Sequence, residues 1–105
     1  MISEDSIFAQ ATPPGSGAIA ILRISGTKAI GAVSTLSGKP KDYFKKRSPQ
    51  TITVYGANKE KLDSVLIVFY RAPRSYTGED VVEINCHGNQ IIIDNIMEVL
   101  INCGL

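Results

Sequence analysis

Ser75-Tyr76-Thr77-Gly78-Glu79-Asp80-Val81-Val82-Glu83-Ile84-Asn85-Cys86-His87-Gly88 is the stretch on which the fold turns. A polar turn bearing one glycine feeds a strand over Asp80 to Cys86. The strand stops at His87-Gly88, where a strongly apolar segment begins. Strand side chains alternate between two faces. Val82, Ile84 and Cys86 therefore share one face, which reads as core. Glu83, Asn85 and His87 share the other, and set a carboxylate, an amide and an imidazole in a row. Such a row suits a polar, planar ligand.

Downstream, Asn89 to Cys103 reads as a helix. Asp94, Glu98 and Asn102 recur every four residues as a polar stripe. Ile92, Ile93, Ile96, Met97, Val99 and Leu100 occupy the rest of the circumference, an apolar arc wide enough for more than one packing neighbour. Upstream, Ser6 to Ala11 and Ala18 to Ser25 read as strands. The second places Ala18, Ala20, Leu22 and Ile24 on one face and Ile19, Ile21 and Arg23 on the other. A helix is expected over Thr27 to Leu36, with Ser25 or Thr27 as its cap and Gly38 in the left-handed position past its end.

Lys39 to Pro49 is a polar loop carrying Lys39, Lys41, Lys45, Lys46 and Arg47. Thr51 to Tyr55 alternates as a strand, Gly56 to Lys61 is a turn, and Pro73 to Gly78 is a loop. Val65 to Tyr70 is apolar at every position, which predicts a central strand covered on both faces. Strands and helices do not alternate regularly. The fold class is therefore α+β, a mixed sheet with two or three helices.

The chain has 105 residues, 44% of them hydrophobic, and reads as one domain, 1–105, with one modest core. A net charge of +1 gives no global field toward nucleic acid or membrane. No apolar run approaches the roughly 20 residues that span a bilayer. Met1 to Asp5 is acidic and lacks the basic and apolar regions of a signal peptide. Cys86 and Cys103 make no disulfide framework and read as free thiols of a reducing cytoplasm. The only histidine has no metal-ligand spacing around it.

Arg23 interrupts an apolar strand face, and two readings stand for it. It either snorkels or pairs with a carboxylate such as Glu83, or it offers a planar fork to a ligand. Glu83 is likewise either a solvated outward residue or a ligand acceptor. His87 with Gly88 opens the last helix, where anions are favoured, but a histidine at a strand end also serves packing or capping. Pro13 to Gly17 lacks the G-K-[ST] ending of a phosphate-binding loop. The basic cluster is either a solvated loop or a contact to nucleic-acid backbone. No catalytic constellation is present.

Two long motifs stand in order along the chain. Asp5 to Gly26 reads D-x-I-x-A-x-A-T-P-P-G-x-G-x-x-x-I-x-R-I-S-G, and Ser75 to Gly88 reads S-Y-T-G-E-D-x-V-E-I-x-C-H-G. Together they resemble the N-terminal domain of the MnmE/TrmE family of tRNA-modifying GTPases, over nearly the whole chain. Ser16 stands where the family usually has Arg, and Asn89 where it often has Gly. The resemblance implies a domain similar to the folate-binding domain of aminomethyltransferases. It also implies binding of 5-formyl-tetrahydrofolate, with Arg23 and Glu83 as contacts; His87 and Gly88, at the helix opening that favours the ligand's glutamate carboxylates, are weaker candidates. A pterin edge presents an exocyclic amine beside a ring N–H, and one carboxylate can accept both.

The resemblance further implies a homodimer held through this domain and a flavoprotein partner. The parent enzyme would modify the wobble uridine (U34) of tRNA, with the folate as one-carbon source. GTP, magnesium and potassium would act in a GTPase domain. In the family a P-G-E-F-[TS] segment, a further folate-contacting Lys, a helical domain and the inserted GTPase domain follow. The chain is therefore expected to be a non-catalytic fragment, and neither Cys86 nor Cys103 corresponds to the family's catalytic Cys. Two other classes stay open. One is a protein-interaction module with a vestigial folate site; the other is a free-standing folate-binding or aminomethyltransferase-like protein.

Overall fold

The computed structural model describes residues 6–12, 18–44, 49–71 and 80–105. Five strands and two helices follow in the order β1 (Ile7–Gln10), β2 (Ile19–Ser25), α1 (Ala29–Ser37), a 3-10 turn (Lys41–Phe44), β3 (Gln50–Tyr55), β4 (Lys61–Tyr70), β5 (Val81–His87) and α2 (Gln90–Asn102). The strands form one sheet in the order β1-β2-β5-β4-β3. The α+β class is borne out. Each pairing in the sheet is antiparallel, so the mixed sheet expected from sequence resolves to a single antiparallel one. The loops at Pro13 to Gly17 and Pro73 to Gly78 and the basic residues Lys45 to Arg47 lie outside the described residues.

The core lies between one sheet face and the two helices. Ala20, Leu22 and Ile24 of β2, Ile52 and Val54 of β3, Val65 and Ile67 of β4, and Val82, Ile84 and Cys86 of β5 are buried. They meet Ala29, Val33 and Leu36 of α1 and Ile93, Ile96 and Leu100 of α2 in one cluster. Helix α2 touches α1, β4 and β5, as its wide apolar arc requires. Phe44 of the 3-10 turn is buried against Phe69, ring centroids 5.8 Å apart.

Strand β4 differs from expectation in two ways. It starts at Lys61, because residues 61–64 continue the pairing with β3. It is also not covered on both faces: Asp63, Val65 and Ile67 are buried, whereas Leu66 is 40% exposed. A strand can be central by having two neighbours and still present one face outward.

The ends of the helices carry the other correction. Neither Ser25 nor Thr27 caps α1. Residue Lys28 stands at its start with no side-chain cap of its own, and the Ser6 Oγ accepts the Lys28 N–H at 2.8 Å. Gly26, at φ 125°, lets the chain pass there: a Cβ on it would sit 2.4 Å from Ser6 Oγ. Gly38 ends α1 in the left-handed conformation, φ 71°, as expected. Asn89 caps α2: its Oδ1 accepts from the N–H of Ile91 (2.9 Å) and Ile92 (3.3 Å).

Candidate ligand-binding site

The placement of β5 between β2 and β4 assembles the site. In the register of β2 and β5, Arg23 stands opposite Glu83, Ile21 opposite Asn85 and Ile19 opposite His87. Residues 60 positions apart are thereby side by side. Nε of Arg23 donates to Oε2 of Glu83 at 2.9 Å, and Nη2 donates to the same oxygen. The Tyr70 hydroxyl donates to Oε1 at 3.1 Å. Glu83 is 8% exposed, so its charge is compensated where water is scarce. Arg23 keeps 40% of its side chain accessible. It borders a cleft of about 170 Å³ lined by Ile7, Ala9, Ala11 and Ser25 as well.

Along β5 the face grades from covered to open. Val81 and Glu83 are buried, Asn85 is half-buried and His87 is exposed. The Asn85 Nδ2 donates to the Leu66 carbonyl at 3.2 Å. At the strand's end the His87 ring meets Asp63. Its Nδ1 lies 2.6 Å from Asp63 Oδ1, and its backbone N–H donates to Oδ2 at 2.8 Å. The Ser64 N–H donates to Asp63 Oδ1 at 2.8 Å. Asp63 is buried on the helix-facing side. Cys86 is buried too; desolvation, and after it the charge of Asp63, push its thiol up to about 11. A thiol so placed is an apolar filler, not a nucleophile.

The structure thus joins Arg23 to Glu83 and sets His87 on the same face four residues along. Two partners escaped the sequence reading. Tyr70 was seen only as the end of an apolar strand. Asp63 had a signal: it shares the parity of Val65 and Ile67, so a carboxylate on the buried face needs donors. A cavity of about 420 Å³ lies elsewhere, lined by Thr27, Lys28, Gly31, Thr35, Lys41 and Cys103 among others. It holds none of the polar row. Among the described residues, no three of His, Cys, Asp and Glu converge as for a metal ion. No described helix is long and apolar enough to cross a membrane.

Comparison with known proteins now gives the chain its relatives. Residues 6–105 match the family described as "GTP-binding protein TrmE N-terminus". The chain belongs to this family. As a TrmE N-terminal domain it is similar to "tRNA modification GTPase MnmE" of Francisella tularensis strain SCHU S4, 45% identical over 104 residues, 99% of this chain and 22% of the relative. It is also similar to the protein of that name in Fervidobacterium nodosum, 40% identical over 106 residues, 98% of this chain and 23% of the relative. The chain spans less than a quarter of the length of these curated relatives. The TrmE N-terminal match covers the first sequence motif from Ser6 onward, the whole of the second, and the three strands that carry Arg23, Tyr70 and Glu83.

Proposed function

We propose that this TrmE N-terminal domain binds a reduced folate of the 5-formyl-tetrahydrofolate kind and holds two copies of its parent protein together. The parent acts as a GTPase that modifies the wobble uridine of tRNA in the cytoplasm. It uses the folate as one-carbon donor and works with a flavoprotein partner, while GTP, magnesium and potassium belong to another domain. The observation that carries the folate reading is the Glu83 carboxylate, buried yet one strand away from an accessible guanidinium. A carboxylate has about four lone-pair positions. Arg23 and Tyr70 account for three donors to Glu83. A pterin edge, with its amine and ring N–H, would take the place of one of them. Arg23 has the exposed side chain and can turn to an oxygen of the ligand.

Calorimetric titration of the chain with 5-formyl-tetrahydrofolate tests this. Glu83→Gln keeps the shape but replaces one acceptor oxygen by a donor, and Arg23→Ala removes the fork. Each is expected to weaken binding roughly ten- to a hundredfold, the worth of a charge-assisted hydrogen bond. Binding that neither change affects would place the site elsewhere. A second reading rests on Ile7, Ile19 and Leu66, which are 66%, 60% and 40% exposed. Their apolar surface fits a protein-interaction module, and it wins if the chain and a version extended through the family's P-G-E-F segment both fail to bind folate.

A further inference from the structure

We infer that a trough along α1, on the helical side of the sheet, binds the backbone of a single-stranded nucleic acid through Lys28, Lys41 and Lys59. This trough is separate from the folate site, since Arg23 and Glu83 pair on the sheet face turned away from the helices. Three observations carry it.

The first is its length. Cavities of about 420, 300 and 310 Å³ adjoin one another, and Thr35 borders all three. The first, between α1 and the end of α2, carries Lys28 and Lys41. The other two, beside the turn between β3 and β4, carry Tyr55 and Lys59. From Thr27 to Thr35 alone the chain advances about 12 Å at the helical rise. That is longer than any single phosphate and suits a strand with a charge on every unit.

The second is charge. Three lysines line the trough, and no Asp or Glu does. The chain as a whole carries only +1, so the segregation is local. Among the described residues no carboxylate pairs with any of the three. Lys28 Nζ reaches the Gly104 carbonyl at 3.4 Å. Glu60, the acid of the β3–β4 turn, accepts from the Asn58 N–H at 3.1 Å. Cations without a counter-charge draw a polyanion, and each phosphate they meet releases condensed counterions. Tyr55, 38% exposed, adds a ring on which a base can stack, which favours a nucleic acid over an acidic peptide.

The third is Gly31. It lies inside α1 with an ordinary helical backbone, where alanine would be the more stable residue. Crowding does not demand the glycine. A Cβ there would meet Lys41 Cε at 3.5 Å and Nζ at 3.7 Å, ordinary contact distances. The missing methyl instead leaves the floor of the first cavity open beneath the Lys41 ammonium, where a phosphate can approach the helix backbone.

Fluorescence anisotropy of a labelled single-stranded RNA, titrated with the whole chain, tests this. Binding is expected to weaken with salt at a slope of about −0.7 per phosphate contact, and alike for two unrelated sequences. Lys28→Gln, Lys41→Gln and Lys59→Gln alter exposed side chains. Each is expected to weaken binding severalfold and to flatten the slope by about 0.7. Lys61→Gln removes the same charge outside the trough and is expected to leave the slope as it is. Gly31→Ala is expected to raise the thermal midpoint and yet weaken binding, a pairing that a purely structural role does not produce. Four results would each overturn the inference: no binding of RNA, equal losses for Lys61→Gln and the trough lysines, displacement of the RNA by polyglutamate at matched charge, or a stabilised Gly31→Ala that binds undiminished.

Discussion

Arg23 and Glu83 are cross-strand partners in register, and each lies in one of the two long sequence motifs. The ion pair is therefore the point at which the ends of the sequence meet, and it has two duties. In the free domain it compensates a carboxylate that is 8% exposed. On the folate reading proposed above, it is also the polar feature that a ligand would open or share.

The first duty predicts a stability effect. Arg23→Ala leaves Glu83 the hydrogen bond from the Tyr70 hydroxyl and is expected to cost about 1–2 kcal/mol, discounted because the arginine is partly in water. Arg23→Ala combined with Glu83→Gln is expected to cost less than the sum of the two single changes, since no charge is then left behind. Urea denaturation of the four proteins checks this; strict additivity would show that the two side chains are not coupled.

Asn89 gives a second prediction. It is the cap of α2, with two backbone N–H groups on its side chain. Asn89→Ala is expected to cost about 1 kcal/mol, and Asn89→Gly only a few tenths, because glycine is itself tolerated at a cap. The thermal midpoint should therefore fall for Ala and barely move for Gly.

Much of the fold could be read from alternation. In β2 and β5 the two-residue period placed every apolar residue on its observed face, and so put Arg23 and Glu83 outward together. The strand order could not be read this way, because pairing depends on the whole sheet; without it the ion pair was one option among several. The caps failed for a related reason. Ser25 and Thr27 are local candidates, but the hydroxyl that serves α1 comes from Ser6, 22 residues away, across the β1–β2 pairing. The start of β4 was missed because Lys61, Asp63 and Ser64 leave Leu62 as the one apolar residue there, and the pairing with β3 is a tertiary fact. Asp63 went unseen with it, and so did the partner that orients His87.

The approach of Ser6 to Gly26 gives a third prediction. Gly26 is at φ 125° and a Cβ there would lie 2.7 Å from Ser6 Cα, a backbone atom that cannot swing aside. Gly26→Ala is expected to destabilise by about 1–3 kcal/mol through the strained backbone, with the clash in addition. Ser6→Ala removes only the acceptor for Lys28 N–H and is expected to cost about 1 kcal/mol. The double change is the informative one: if Ser6→Gly relieves part of the Gly26→Ala defect, the contact itself is the cause.

The fourth prediction concerns pH. The Cys86 thiol titrates at about 11 in the folded chain against 9.0 in the unfolded one, chiefly because burial disfavours the thiolate. The folded value is the higher of the two. Below pH 9 both states carry the proton and the thiol has no pH-dependent effect. Between 9 and 11 the unfolded chain gives up its proton while the folded chain keeps it, so stability falls as pH rises through this window. Urea midpoints measured from pH 8 to 11 are expected to drop, and Cys86→Ala should drop less steeply while being weaker at pH 8 for the apolar volume it loses. Thiol modification gives the same answer kinetically. At pH 8 the half-buried Cys103 should react readily and the buried Cys86 only after denaturant opens the sheet. Equal reaction of the two thiols in the native chain would mean that the β5 core face is not closed as described.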